Sequence, residues 1–136
     1  TSPDRVEALV AACARDGVAT EVRRRLSLGE GLPGFGHPLY PRGDPRTPPL
    51  LALAQDLGPP RASAALLELI DFVGAEVGLL PTIDCGVLAI AEALSAPPGT
   101  ATMFFGLGRT AGWVAHVLEQ RESPALLRPR ARYVGA

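Results

Sequence analysis

Residues 33–46, PGFGHPLYPRGDPR, combine chemically active side chains with a backbone that is unsuited to regular structure. Four prolines and three glycines surround His37, one of only two histidines in the chain, and the same stretch carries Arg42 and Arg46. Imidazole is the side chain most easily tuned to exchange protons near neutral pH. A guanidinium can hold a carboxylate through two parallel hydrogen bonds. The stretch therefore indicates a loop that places a proton donor beside an anion-binding group.

Further along the chain, an acidic residue and more arginines extend this set. Asp84 follows a short extended segment at a predicted helix start, Arg109 lies in the apolar stretch FFGLGRTAGW, and Arg128 lies in an arginine-rich tail with Arg130. Together they supply a candidate acid, a candidate base and several guanidiniums. Such a set suits a di- or tricarboxylate substrate that undergoes proton transfer beside a carbonyl.

Three of these residues also have a purely structural interpretation. His37 could be an ordinary hydrogen-bonded loop histidine, and Asp84 could be no more than a helix N-cap, the commoner use of aspartate at such a place. Arg46, which follows Asp44-Pro45, could cap a turn.

Three residues outside the loop are predicted to be buried or inert. The apolar neighbours of Arg109 predict a buried guanidinium, which needs an anionic partner that an internal carboxylate could supply. We expect His116, three residues after Trp113, to pack in the core. Cys85 has no histidine near it in sequence, so an inert thiol is expected rather than a nucleophile.

Composition limits the class of protein. The 136 residues predict one domain, and the net charge of −1, with all thirteen basic residues arginine, argues against nucleic-acid binding. No apolar run reaches the ~18 residues of a membrane span, and no signal-peptide pattern opens the chain. Cys13 and Cys85 lack metal-ligand spacing, so we expect free thiols in a cytosolic protein and no metal site. Because the chain starts with Thr1, we expect an excised or processed piece.

Helical periodicity dominates the sequence and no convincing strand is found, so we predict an all-α fold. Ser2 is a predicted N-cap with Pro3 after it. The Pro/Gly loop is predicted over residues 31–49, and residues 1–120 are predicted to form a helical domain followed by a polar tail, 121–136. The predicted helices are 3–17, 19–28, 50–57, 61–77, 84–94 and 97–120.

Four motifs in a fixed order resemble those of the citrate synthase family. The loop resembles the family's PGFGH…Y…DPR signature, and residues 81–84, PTID, resemble its PNVD element. Residues 108–116, GRTAGWVAH, followed by Glu119-Gln120, resemble its ART-GWIAH…EQ helix. Residues 128–135 resemble its RPR…Y.G terminus. One short motif would be weak, but this ordered set is specific. The resemblance implies the helical small domain of the citrate synthase fold with a long Pro/Gly loop.

The resemblance also implies roles for individual residues. His37 matches the histidine that polarises and protonates the ketone oxygen of oxaloacetate, and Asp84 the base that removes a methyl proton from acetyl-CoA. The arginines that hold substrate carboxylates match Arg46, Arg109 and Arg128, the last acting across a dimer interface. The residues that match a CoA-binding region are Gly34, Phe35, Gly36 and Arg42.

The implied activity is condensation of an acyl-CoA, with acetyl-CoA as first choice, and oxaloacetate to citrate and CoA, with no cofactor beyond the thioester substrate. The family's earlier catalytic histidine and preceding large domain have no counterpart here. We therefore expect an inactive fragment that needs a large-domain segment or second chain, in an enzyme that is a cytoplasmic homodimer. Thr82 in place of the usual Asn, and Cys85 beside the base, could indicate another acyl-CoA or oxo acid. Alternatives are a non-catalytic CoA- or citrate-binding module and a decayed remnant.

Overall fold

A computed structural model describes residues 3–59 and 63–122. The described part is helical, with two isolated β-bridges and no strand, so the predicted all-α class is confirmed. The predictions for Ser2, Arg61, Arg128 and the rest of residues 123–136 lie outside the described residues, whereas residues 121 and 122 of the predicted tail belong to the last helix. The helices are α1 (Pro3–Asp16), α2 (Val18–Ser27), α3 (Thr47–Leu57), α4 (Ala64–Glu76), α5 (Ile83–Ala93) and α6 (Thr100–Glu122).

The chain separates into two compact units, one up to Gly106 and one from Leu107 onward. In the first unit, α3 packs most extensively against α5, while α1 contacts α2, α4 and α5. Gly86 permits the close approach of α3, because a Cβ there would lie 2.8 Å from the Cβ of Leu50. The core is built from aliphatic side chains and one phenylalanine, including Val6, Leu9, Val22, Phe35, Leu66, Leu69, Val73, Cys85 and Leu88.

Five helix starts differ from the predicted positions by one to three residues, and two of these differences bear on the site. Helix α3 begins at Thr47, three residues early, because Pro48 and Pro49 fit its first turn, where the missing proline N–H has no helical partner to lose. Helix α5 begins at Ile83 with Thr82 in the cap position, so Asp84 is a first-turn residue and not the predicted N-cap. The Pro/Gly loop therefore ends at Arg46, next to the start of α3.

The loop lies against the extended segment before α5. The amide of Gly36 donates to the carbonyl of Leu80 at 3.0 Å, and the amide of Thr82 donates to the carbonyl of Gly34 at 2.8 Å. These two bonds flank an antiparallel bridge between Phe35 and Pro81. Residues that are almost fifty positions apart in sequence are thereby fixed side by side, which brings the His37 and Asp84 segments together.

Gly34 is required where the loop crosses the core. Its φ is +84°, and a Cβ there would lie 2.8 Å from Val6 Cγ2 and 2.9 Å from Cys85 Sγ, both in fully buried side chains. Gly29 also has a positive φ, +71°, but a Cβ there would meet no atom within 4 Å. A comparison of alanine substitutions at Gly34 and Gly29 therefore separates the cost of backbone strain, which both share, from the cost of overpacking, which only Gly34 has.

We predict that Gly34→Ala destabilises the chain more than Gly29→Ala does. The left-handed backbone costs each variant about 1–2 kcal/mol, and overpacking adds about 1–3 kcal/mol at position 34 only. Urea unfolding of both variants and the parent measures the difference. Equal losses would show that the core around Val6 and Cys85 relaxes freely.

Candidate active site

Asp44 connects the end of the Pro/Gly loop to the start of α5. Its side chain is 0% exposed, and its carboxylate accepts two hydrogen bonds from the Arg46 guanidinium, from Nε at 2.8 Å and from Nη2 at 2.7 Å. It also accepts the backbone amides of Arg46 at 3.1 Å and of Ile83 at 3.0 Å. Since Ile83 is the first residue of α5, Asp44 caps that helix from 39 positions away.

The hydrogen bonds from Arg46 are the main cause that lowers the pKa of Asp44 to about 2, against burial that acts the other way. In turn, the bond to Asp44 raises the pKa of Arg46, and the charges of Tyr40 and Asp84 add to this effect. Negative charge is also favoured beside the amino end of a helix. The ion pair therefore stays charged in any buffer near neutrality.

Arg46, Tyr40 and His37 follow one another along the loop surface. The Arg46 guanidinium lies over the Tyr40 ring, 5.3 Å from its centroid, and the Tyr40 ring lies 4.8 Å from the imidazole of His37, measured between centroids. The side chain of Arg46 remains 46% exposed. A rigid aromatic ring thus separates the candidate proton donor from the candidate carboxylate-binding group.

The backbone sets which nitrogen of His37 carries the proton. The amide of Leu39 donates to Nδ1 of His37 at 3.1 Å, so Nδ1 acts as an acceptor. A neutral imidazole with an accepting Nδ1 has its hydrogen on Nε2. His37 therefore presents an N–H donor, the group needed to polarise a carbonyl oxygen.

Asp84 is a buried carboxylate with one unsatisfied oxygen. The residue is 3% exposed, its Oδ2 accepts the Thr82 hydroxyl at 3.3 Å, and its Oδ1 has no hydrogen-bond partner among the described residues. Buried polar atoms are almost always paired, so such an oxygen requires an explanation. The structural role predicted as an alternative, the N-cap, is not what holds Asp84 there, because the amide of Ile83 is already taken by Asp44.

The thiol next to Asp84 is buried and unreactive, as predicted. Cys85 is fully buried, and its Sγ donates to the carbonyl of Gly34 at 3.3 Å. Burial, with a smaller contribution from the Asp84 charge, raises its pKa to about 12. Both cysteines are free, and Cys85 contributes to fixing the loop rather than to chemistry.

Two open depressions lie on either side of the loop, each of about 420 Å³. One is lined by His37, Tyr40, loop prolines and residues 78–80, and the other by Arg5, Leu32, Phe35 and neighbouring residues. Among the predicted CoA-binding residues, Gly34 and Phe35 are mostly buried, whereas Gly36 and Arg42 are exposed. Asp84 lines neither depression.

The unit from Leu107 onward contradicts two predictions. Arg109 is exposed on α6 and not buried, since the apolar side chains around it, including Leu107 and Trp113, are themselves exposed. His116 is also exposed rather than in the core, and its Nδ1 lies 3.4 Å from Glu119 Oε2, one helical turn away. Burial was inferred from apolar neighbours, but burial also requires another element to cover them.

Sequence reasoning missed the roles of Asp44 and Tyr40. Both lie in the Pro/Gly loop between His37 and Arg46, where neither is predicted as a site residue. The available signal was the Asp-Pro-Arg order: an aspartate two residues before an arginine, across a proline, favours a turn in which the carboxylate accepts the arginine's own amide. The link to Ile83 gives no local signal.

Comparison with known proteins decides the family. The profile of the citrate synthase C-terminal domain matches residues 2–130. The chain belongs to the citrate synthase family. The suspected resemblance is thereby confirmed, and the predicted fold with it.

Relatives in this family include a citrate synthase and a 2-methylcitrate synthase. The chain is similar to the citrate synthase of Haloferax volcanii, with 37% identity over 84% of the chain and 31% of the relative, and to a 2-methylcitrate synthase of Mycobacterium tuberculosis, with 30% identity over 84% and 30%. Among solved structures, it superimposes on citrate synthase from Thermotoga maritima with a TM-score of 0.80 at 27% identity, covering 98% of the chain and 38% of the other. Citryl-CoA lyase from Hydrogenobacter thermophilus gives 0.72 at 25% identity, covering 98% and 56%.

The chain spans about a third of the length of the citrate synthases that it matches. Among its described helices, none has the length and apolar character needed to cross a lipid bilayer. What the family resemblance covers is thus a C-terminal portion that includes the loop and the start of α5.

We predict that the ion pair of Asp44 makes the stability of this citrate synthase family domain sensitive to acid. Its folded pKa of about 2 lies below the usual 3.8, so the stabilisation is complete above about pH 4 and is lost as the pH falls towards 2. Free energies of unfolding from pH 6 to pH 2 should show Asp44→Asn less stable at pH 6 and level with the parent near pH 2.

Glu21 provides a comparison outside the site. Its carboxylate is paired with Arg24 at 2.8 Å and Arg25 at 2.6 Å, which lowers its pKa to about 2 as well. The difference in the free energy of unfolding between Glu21→Gln and the parent should likewise shrink as the pH falls from 6 to 2. A gap between Asp44→Asn and the parent that stays constant with pH would mean that the Asp44 charge contributes nothing to folding.

Proposed function

We propose that this chain is the C-terminal part of a citrate-synthase-like enzyme that condenses an acyl-CoA, acetyl-CoA as first choice, with oxaloacetate to give citrate and CoA. Membership of the citrate synthase family supports the reaction class. The observation that carries the proposal is Asp84: a buried carboxylate whose Oδ1 has no partner among the described residues. An unpaired buried oxygen is costly to folding, and a base that must accept a substrate proton accounts for it.

The loop supplies the groups that hold and polarise the oxo acid. The Nε2–H of His37 donates to the ketone oxygen, which makes the ketone carbon electrophilic and provides the proton for the alcohol that forms. Arg46 holds a carboxylate of oxaloacetate, with Arg109 and Arg128 as further carboxylate ligands. Gly34, Phe35, Gly36 and Arg42 are the residues proposed to meet CoA, and in the structure Gly36 and Arg42 present exposed surface for it.

Asp84 completes the acid–base pair. It removes a methyl proton from the acyl thioester, and the resulting enol carbon attacks the ketone carbon polarised by His37. The citryl thioester formed in this way is then hydrolysed by water to citrate and CoA. Groups that stabilise the enol oxygen are also needed, because a thioester methyl is a weak acid. The chain has only two histidines, and the second, His116, is exposed beside Glu119. The enol-stabilising group therefore comes from a segment other than these residues.

We propose that a large-domain segment, in the same protein or on a second chain, supplies that group and covers α6. Helix α6 carries six large apolar side chains that are more than half exposed: Met103, Leu107, Trp113, Val114, Val117 and Leu118. Exposed apolar surface of this extent is typical of an interface. We propose that the complete enzyme is a homodimer, as Arg128 acting across subunits requires, and that the chain alone is inactive.

Location and cofactor requirement are proposed on chemical grounds. Two free, buried thiols fit a reducing compartment such as the cytoplasm. Proton abstraction, carbon–carbon bond formation and thioester cleavage need acids, bases and water, so we propose no cofactor beyond the CoA thioester substrate.

The identity of the acyl group has a second candidate. A 2-methylcitrate synthase is among the relatives, and in this chain the neighbour of the base is Thr82, whose hydroxyl contacts Asp84. Propionyl-CoA is therefore the alternative thioester. A non-catalytic CoA- or citrate-binding module is the alternative outside enzymes, favoured by the presence of only two histidines.

We predict that Asp84→Asn abolishes turnover without loss of folding. The variant keeps the Thr82 hydroxyl contact and leaves the Asp44 cap in place, but removes the proton acceptor. In the complete enzyme, turnover with acetyl-CoA and oxaloacetate should fall by roughly 10²–10⁴-fold, while the melting temperature and the affinity for oxaloacetate stay near the parent values.

Arg109→Gln should have the opposite effect: its main result should be weaker oxaloacetate binding, because the variant loses a charge-assisted bond to a carboxylate.

Asp56→Asn is the matched control for Asp84→Asn, because it makes the same change of charge at an exposed position of α3. The assay is thiol release from the acyl-CoA, and the 136-residue chain alone should show none. Near-normal turnover of Asp84→Asn would remove Asp84 as the base and favour the binding module.

A further inference from the structure

We propose that Asp44 is a positioning residue that sets the orientation of Arg46 for an oxo-acid carboxylate and ties this anion site to the start of the helix carrying Asp84. The inference rests on the proposed function of Arg46 and Asp84. It assigns a role to a residue that never touches substrate.

The guanidinium of Arg46 has two edges that can each hold a carboxylate. The edge formed by Nε and Nη2 is occupied by the two oxygens of Asp44, at 2.8 Å and 2.7 Å. The other edge, formed by Nη1 and Nη2, makes no hydrogen bond to any described residue, and the side chain is 46% exposed. Asp44 and the Tyr40 ring beneath the guanidinium therefore hold it with one edge open to an anion.

Asp44 fixes this arrangement to α5. The oxygen that accepts Nη2 of Arg46 also accepts the amide of Ile83, the residue before Asp84. Because the Asp44 side chain is fully buried, its position is set by the core and not by solvent. One carboxylate thus determines the distance between the oxo-acid site and the base. A shift of α5 would therefore move Asp44 and change the orientation of the Arg46 guanidinium.

Positioning and simple neutralisation predict opposite effects on anion binding. If Asp44 only cancels the charge of Arg46, its removal raises the local positive potential and oxaloacetate binds more tightly. If Asp44 orients Arg46, its removal leaves the guanidinium unaligned and binding weakens in spite of the favourable charge change. The sign of the effect on affinity therefore distinguishes the two roles.

The experiment measures oxaloacetate dissociation constants by calorimetry, together with kcat and KM, in the complete enzyme. Asp44→Asn should raise the dissociation constant and the KM for oxaloacetate by about tenfold or more, the scale of a lost charge-assisted pair. The KM for acetyl-CoA should stay within about twofold, since the loop–segment pairing at Gly34 and Gly36 is untouched. Asp56→Asn, the same change of charge at an exposed position of α3, should alter neither value.

Arg46→Lys provides the second variant in case Asp44→Asn folds poorly. Lysine keeps the positive charge beside an intact Asp44 but cannot bond two carboxylates edge to edge. Arg46→Lys should lose affinity for oxaloacetate to a similar degree as Asp44→Asn. Its melting temperature should lie closer to that of the parent than the melting temperature of Asp44→Asn does. Retention of full affinity by Arg46→Lys would overturn the inference.

Failures of the inference and of the proposed function are distinguishable. Tighter or unchanged oxaloacetate binding by Asp44→Asn, with an active parent, overturns the positioning role alone. A parent enzyme that neither binds oxaloacetate nor releases thiol overturns the proposed function and the inference with it. Weakened binding in both variants, with an unaffected Asp56→Asn, supports the inference.

Discussion

The carboxylate of Asp44 is fully buried and accepts hydrogen bonds from the guanidinium of Arg46 and from the first amide of α5. A buried charge is tolerated only when it is paired and hydrogen-bonded, and here every partner belongs to the site. The loop end, Arg46 and the helix that carries Asp84 are consequently held by one group. Moving any of them would leave a charge unpaired in the interior, which is why the arrangement is rigid without a sheet or a disulfide.

The second support of the site is steric. Gly34 lets the loop pass between Val6 of α1 and Cys85 of α5, at a distance that no other residue permits. The amide of Thr82 and the thiol of Cys85 then bond to the Gly34 carbonyl. Gly34 therefore has a structural reason in the core that is independent of any ligand, whereas Gly36 is exposed.

Local features were predictable from the sequence and contacts between distant residues were not. The predicted helices 3–17, 19–28 and 61–77 end at or just before Gly17, Gly29 and Gly78, and all three glycines have positive φ. A glycine stop depends on the backbone of only a few neighbouring residues, so it can be predicted locally. The candidate residues His37, Arg46 and Asp84 were found from their types and from the family motifs. Nearby residues alone offer Asp84 as an N-cap of α5, one of its two interpretations, whereas Asp44 performs that role from 39 positions away in sequence. The predicted burial of Arg109 is wrong for a related reason. The hydropathy of α6 indicates that its side chains are apolar, but it does not indicate which element covers them.

His37 presents a fixed N–H donor, Arg46 an oriented guanidinium, and Asp84 a buried carboxylate whose Oδ1 has no partner among the described residues. The central proposal is that these three groups act on one oxo acid and one thioester methyl. The most direct measurement is a crystal structure of the complete enzyme with oxaloacetate and a non-reactive acetyl-CoA analogue. The account predicts the Asp44–Arg46 pair intact, with the open edge of Arg46 and Nε2 of His37 each about 3 Å from oxygens of the oxo acid and Oδ1 of Asp84 facing the methyl position. An oxo acid bound away from His37 and Arg46, or an analogue whose methyl position lies beyond the reach of Asp84, would contradict it.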